Sequence, residues 1–179
     1  MGSRKLRVDR LGQQRTLPVL YFAYGSNMST PRLRRRVPSA RPLGAARVDG
    51  WKLVFDKRSV DGSGKCTLSR GAGVVHGALF EIDARDRSAL DQAEGPGYLS
   101  REVEAALNGA VLSSFSYVAK EDWLERALRP YTWYLDLVVA GAREHGLPEA
   151  YVGRILAVES VPDPDSTREA RNREILNRF

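Results

Sequence analysis

Apolar side chains occupy every position from 19 to 24 and stop abruptly at Gly25-Ser26-Asn27, a pattern that predicts a buried strand over 18–24 ending in a glycine turn. Ser29-Thr30-Pro31 follows, an N-cap candidate with proline in the first helical turn, so a helix is predicted over 32–37. Positions 46–55 and 74–82, rich in Val, Leu, Phe and Trp, read as further strands. Two alternating segments, 101–107 and 111–118, flank Asn108-Gly109, whose residues both tolerate positive φ and so signal a hairpin. Asp83 is placed to cap a helix running through Leu90 to Glu94 and ended by Gly95-Pro96. A second helix is predicted over 131–144, with Gly146 and Pro148 past its end, and a third over 149–159. Gly62, Gly64, Gly71 and Gly73 fall in what reads as a polar loop, at no phosphate-binding spacing. Five or six strands, antiparallel where hairpins dictate, give an α+β domain whose sheet can close into a barrel; the helices alternate too irregularly for a doubly wound parallel sheet.

Composition narrows the function classes. The 179 residues suit one domain with a sizeable core, and 42% hydrophobic with 28% charged residues is the balance of a globular protein with no membrane-length apolar run. The N-terminus is charged but has no following apolar region or cleavage site, so the reading is a cytoplasmic protein. Cys66 is the single cysteine, excluding an intrachain disulfide, and with only two histidines the usual nitrogen and sulfur zinc ligands are missing. Cys66 reads as a small packed strand residue. The net charge of +6 includes a cluster of Arg32, Arg34, Arg35, Arg36 and Arg41, which has no interleaved aromatics and matches no nucleic-acid module; it reads as a solvated helix face. Residues 1–16 read as a flexible basic extension, 17–162 as the domain, and 163–179 as a helical tail.

Two places carry chemistry. The turn at Gly25-Ser26-Asn27 opens onto a helix start, where unpaired amides suit a carboxylate, a phosphate or a developing oxyanion, and Gly25 is free to adopt positive φ. Glu94 closes its helix against the negative end of the dipole, which disfavours the ionised form, the tuning that a general base working near neutral pH needs. Tyr98 and Tyr134 offer rings to pack a ligand and hydroxyls to donate to it, or else are ordinary packing aromatics. His145 precedes Gly146 at a helix C-terminus, where a cation meets orphan carbonyls, and His76 sits in a strand pattern.

These residues together carry a resemblance. Tyr21-Phe22-Ala23-Tyr24-Gly25-Ser26-Asn27-Met28, then Glu94-Gly95 with Gly97-Tyr98, then Tyr134 ahead of Gly141-Ala142-Arg143-Glu144-His145-Gly146-Leu147-Pro148, resembles the gamma-glutamylcyclotransferase family, AIG2-like proteins included, from position 19 to 162. The resemblance implies a mixed β-barrel with surrounding helices. It implies conversion of a gamma-glutamyl amine or dipeptide to 5-oxoproline plus the released amine or amino acid, without cofactor or metal, by a monomer or homodimer. By likeness Glu94 is the catalytic carboxylate, and Tyr21, Tyr24, Gly25, Ser26, Asn27, Tyr98 and Tyr134 surround the substrate. Positions 121–129 depart from the family pattern, on the leaving-group side. The competing reading is a non-catalytic module of the same fold that binds a gamma-glutamyl or carboxylate ligand; a nucleic-acid role for the arginine cluster comes third.

Overall fold

The computed structural model describes residues 17–177, so the basic extension read over 1–16 lies outside it. The chain runs β1 (Pro18–Ala23), α1 (Thr30–Arg36), β2 (Arg41–Arg58), β3 (Gly64–Asp83), α2 (Arg87–Glu94), β4 (Tyr98–Leu107), β5 (Ala110–Ala119), α3 (Thr132–Glu144), α4 (Glu149–Leu156) and α5 (Ser166–Leu176). The five strands close into a barrel in the order β1-β3-β2-β4-β5. All neighbours are antiparallel except β1 and β5, which meet in parallel at Tyr21 and Phe115 and shut the barrel.

Local signals explain several joints. The β4–β5 hairpin turns on Asn108 and Gly109 at φ of 50° and 83°, so Ala106 pairs with Val111 and Leu107 with Ala110. Ser29 caps α1, its Oγ accepting from the Arg32 N–H at 3.3 Å, with Pro31 in the first turn. Phe22, Leu79, Phe80, Ile82, Leu90, Leu137 and Val138 are fully buried, so the barrel interior and the inner faces of α2 and α3 share one core. Burying each such side chain is worth about 1.5–3 kcal/mol.

The strands differ in extent from the sequence reading. β2 and β3 run 18 and 20 residues, far past 46–55 and 74–82, and β3 includes Gly64, Gly71 and Gly73, which had read as loop. Pairing with β2 overrides the weak strand propensity of glycine, and a bulge between Asp49 and Trp51 explains one of them. A Cβ on Gly73 would stand 2.7 Å from the Trp51 carbonyl oxygen, so the crossing strand requires a residue without one. Asp83 does cap, but it caps a short 3-10 turn at Ala84–Asp86, and α2 begins only at Arg87. α4 stops at Leu156, three residues before the position expected.

Candidate active site

Two structural devices bring the Gly25 turn into position. β1 delivers it from the barrel, and α3 packs directly on it because Gly141 has no side chain: a Cβ there would meet the Ser29 nitrogen at 2.6 Å and the Met28 Cβ at 2.7 Å. The turn continues as a 3-10 helix over Ser26–Met28, whose leading N–H groups have no intrahelical acceptor. Gly25 itself sits at φ −116°, so the turn does not use the positive φ open to glycine. It is small for packing: a Cβ would press within 3.1 Å of the Cys66 Cβ and 3.3 Å of the Tyr134 hydroxyl.

Beside this turn lies a cavity of about 300 Å³, and Tyr21, Tyr24, Gly25, Ser26, Asn27, Glu94, Tyr98 and Tyr134 all line it. Its centre is a hydrogen-bonded network on Glu94, whose side chain is 14% exposed. Asn27 donates one Nδ2 hydrogen to Glu94 Oε1 at 2.7 Å and the other to the Tyr21 hydroxyl at 3.0 Å. Arg36 Nη1 donates to Asn27 Oδ1 and to Glu94 Oε1, both at 3.0 Å. The Asn27 amide is thereby used at all its donor positions and oriented without ambiguity. Oε2 of Glu94 takes no hydrogen bond from the described residues and is free to accept a proton.

The tyrosines are held by backbone. Tyr98 donates to the Cys66 carbonyl at 2.7 Å, Tyr24 donates to the Tyr117 carbonyl, and Tyr134 accepts from the Cys66 N–H at 3.1 Å. Tyr134 alone of the three donates to no backbone carbonyl, and its hydroxyl lies against the Cys66 side chain. Burial raises Tyr21, Tyr24, Tyr98 and Tyr134 above the ordinary phenol value, so all four stay neutral donors. Burial likewise pushes the Cys66 thiol up to about 12, with the residue only 2% exposed, so it lines the cavity as an inert group.

The cations were missed or misread from sequence. Arg32 and Arg36 stand one turn apart on the same face of α1 and line the cavity, whereas Arg34 and Arg35 between them are exposed, so the arginine cluster is only half a solvated face. Lys57 and Lys65, at the ends of β2 and β3, line it as well, with Asp61 and Trp133. Lys65 pairs with Asp61 at 3.0 Å and lies 4.6 Å from the Trp133 and Tyr134 ring centres. Lys57 is 6% exposed and lies 4.8 Å from the Tyr98 ring centre and 5.0 Å from that of Trp123, which belongs to the divergent 121–129 segment. Burial lowers both lysines from the ordinary value. Only long-range pairing places these side chains, so no local pattern announces them; i,i+4 spacing on α1 was the one available signal, for Arg32 with Arg36. The histidines lie elsewhere. His145 bonds the Met28 carbonyl at 2.8 Å through Nε2 behind the turn, and His76 packs on Tyr151.

Over 150 aligned residues the chain is 31% identical to the gamma-glutamylcyclotransferase of Homo sapiens, covering 78% of each chain. The chain belongs to the gamma-glutamylcyclotransferase family. The Mus musculus gamma-glutamylcyclotransferase matches at the same identity and coverage, and the AIG2-like family model matches residues 74–155. A solved structure named gamma-glutamyl cyclotransferase superposes with a TM-score of 0.78 at 27% identity, covering 88% of this chain and 99% of that one. The closed mixed barrel with its five helices is thus the fold of this family. No helix among the described residues is long and apolar enough to cross a membrane.

Proposed function

We propose that this chain converts a gamma-glutamyl compound to 5-oxoproline and releases the amine, with Glu94 as general acid and base. The observation that carries the reading is Glu94 itself: a mostly buried carboxylate with one oxygen fixed by Asn27 and Arg36 and the other unengaged, in a tyrosine-lined cavity beside the Gly25 turn. The substrate's α-ammonium gives a proton to Glu94, and the freed amine attacks the γ-carbonyl carbon of the same molecule, closing a five-membered ring. The carbonyl oxygen takes the negative charge. When the tetrahedral species collapses, the bond to the leaving nitrogen breaks and that nitrogen takes the proton held by Glu94. The ring nitrogen then gives its second proton to the freed Glu94 carboxylate, which passes it to the released amine, so that the lactam is neutral and the amine departs as an ammonium. No water is consumed. Oriented intramolecular attack reaches effective molarities on the order of 10⁵–10⁸ M, so folding the substrate supplies much of the acceleration. The 25–27 turn offers amides to the α-carboxylate or the carbonyl oxygen, and one oxyanion donor is worth about 3–4 kcal/mol.

Charge balance favours a dipeptide over a simple amine. Glu94 offsets Arg36 and Asp61 offsets Lys65, while Arg32 and Lys57 have no carboxylate of the described residues within salt-bridge distance. A gamma-glutamyl amino acid brings two carboxylates to these two cations; a gamma-glutamyl amine brings one. The test is 5-oxoproline release from a panel of gamma-glutamyl dipeptides and amines, wild type beside Glu94→Gln. The amide keeps the shape and cannot accept the proton, so turnover should drop by about 10²–10⁴-fold. A Glu94→Gln rate within threefold of wild type would remove Glu94 from the chemistry.

A further inference from the structure

Arg32 is the one cavity cation whose orientation comes from the C-terminal helix. Its Nη1 donates to Asn172 Oδ1 at 3.1 Å, and Asn172, on α5, lines the cavity too. The Asn172 amide is fixed in turn, because its Nδ2 donates to the Arg168 carbonyl at 2.8 Å, which aims the oxygen at Arg32. Arg168 is locked by Asp163, whose side chain is 0% exposed. Asp163 Oδ2 accepts from Arg168 Nε and from Trp133 Nε1, each at 2.7 Å, while Oδ1 accepts from Arg168 Nη2 and from the Asp165 N–H. Trp133 is itself cavity wall. One buried carboxylate therefore ties the wall at Trp133 to the start of α5, and one turn later α5 presents Asn172. The helix is fastened further by Arg173 to Asp136 at 3.1 Å and by buried Ile175. The Arg32 Nε–H remains buried without a partner, so the guanidinium has donor capacity that the protein does not use.

We propose that α5 is part of the substrate pocket: Asn172 is a positioning residue that holds Arg32 as the receptor for a substrate carboxylate, and Asp163 is the anchor that places Asn172. This rests on the gamma-glutamyl reading of the cavity. Arg32 touches substrate; Asn172 and Asp163 act through it and through Trp133.

The test compares wild type, Asn172→Ala, Asp163→Asn and the double variant by 5-oxoproline release from a gamma-glutamyl dipeptide, and by calorimetric binding of 5-oxoproline, whose single carboxylate is the probe anion. Asn172→Ala should raise KM and the 5-oxoproline Kd about tenfold while kcat stays within about twofold, the signature of lost binding without lost chemistry. Asp163→Asn should do the same, and the double variant should be no worse than the poorer single, because both act on one guanidinium. Asn172 is a partly buried helix residue, so its alanine variant keeps the fold even where Asp163→Asn does not. Unchanged KM and Kd in Asn172→Ala, or single effects that multiply in the double variant, overturn the proposal. A wild type that binds 5-oxoproline but releases none overturns the catalytic reading alone, and the Kd comparison still decides the role of Asn172.

Discussion

Replacing Lys57 by methionine separates the cost of the cavity's charge from its use. Methionine keeps most of the apolar stem between Tyr98 and Trp123 and deletes an ammonium that Glu94 and Asp61 attract only from beyond salt-bridge distance. The lost ring contacts are worth about 0.5–2 kcal/mol each, and the lost burden of burying an unpaired ion is several kcal/mol, so the folded state should not suffer. The effect on substrate is the opposite. A hydrogen bond to a charged group contributes about 1.5–3 kcal/mol, which is about 10- to 150-fold in KM for a gamma-glutamyl amino acid and near unity for the same compound with its leaving-group carboxylate amidated. The stability change carries a pH signature. Burial lowers Lys57 from the ordinary lysine value, so between the two values the unfolded chain holds the extra proton and wild-type stability climbs with pH. Lys57→Met lacks that climb, and its advantage should shrink as the pH approaches about 10.4. Steady-state kinetics on the acid and amide substrates, with thermal unfolding from pH 7 to 10, provide both readouts. Equal loss on the two substrates, or a Tm more than about 5 °C below wild type at pH 7, would refute the assignment of Lys57 as an uncompensated receptor.

Three further outcomes can be measured directly. Gly141→Ala should destabilise by about 1–3 kcal/mol, lowering Tm by about 2–4 °C for each, because its Cβ meets backbone at 2.6–2.8 Å; Gly153→Ala on α4, where a Cβ meets nothing, should stabilise by about 0.5–1 kcal/mol. Cys66 should resist a thiol reagent at pH 8 in the folded protein and react at once in denaturant, since its pKa stands near 12 behind a 2% exposed surface. The Arg168 hydrogen bonds first, then those from Asp165 and Trp133, hold Asp163 down to about 2. Its contribution should be present above the unfolded carboxyl value of about 3.9 and vanish as pH falls through 2, so Asp163→Asn should flatten that acid limb of the stability curve.

Signals confined to a few residues were readable before any coordinates: the Asn108-Gly109 hairpin, the Ser29 cap, the helix ending at Glu94. They were readable because their energetics are local. The barrel was expected, but the seam that closes it was not readable, since it depends on one parallel meeting of Tyr21 with Phe115, and parallel register leaves no turn signature in the chain. The extent of β3 was hidden for the converse reason: Gly64, Gly71 and Gly73 argue locally for loop, and only the partner strand makes them strand. At the site, the motif residues were visible as a motif. Lys57, Lys65, Trp133 and Asn172 were invisible because a lone polar residue at a strand end or on a helix acquires meaning only from what the fold sets opposite it.

The parallel seam between β1 and β5 also has a temporal consequence. Tyr21 emerges from the ribosome long before Phe115, and Asn172 later still, so the earliest-made wall of the cavity waits for nearly the whole chain. Contacts so far apart in sequence make folding slow, and until then β1 presents an apolar, unpaired edge. A chain released before β5 has neither a closed barrel nor a sheltered Glu94, and one released before α5 has Arg32 unheld. The cavity wall is therefore whole only once α5 has been made and docked.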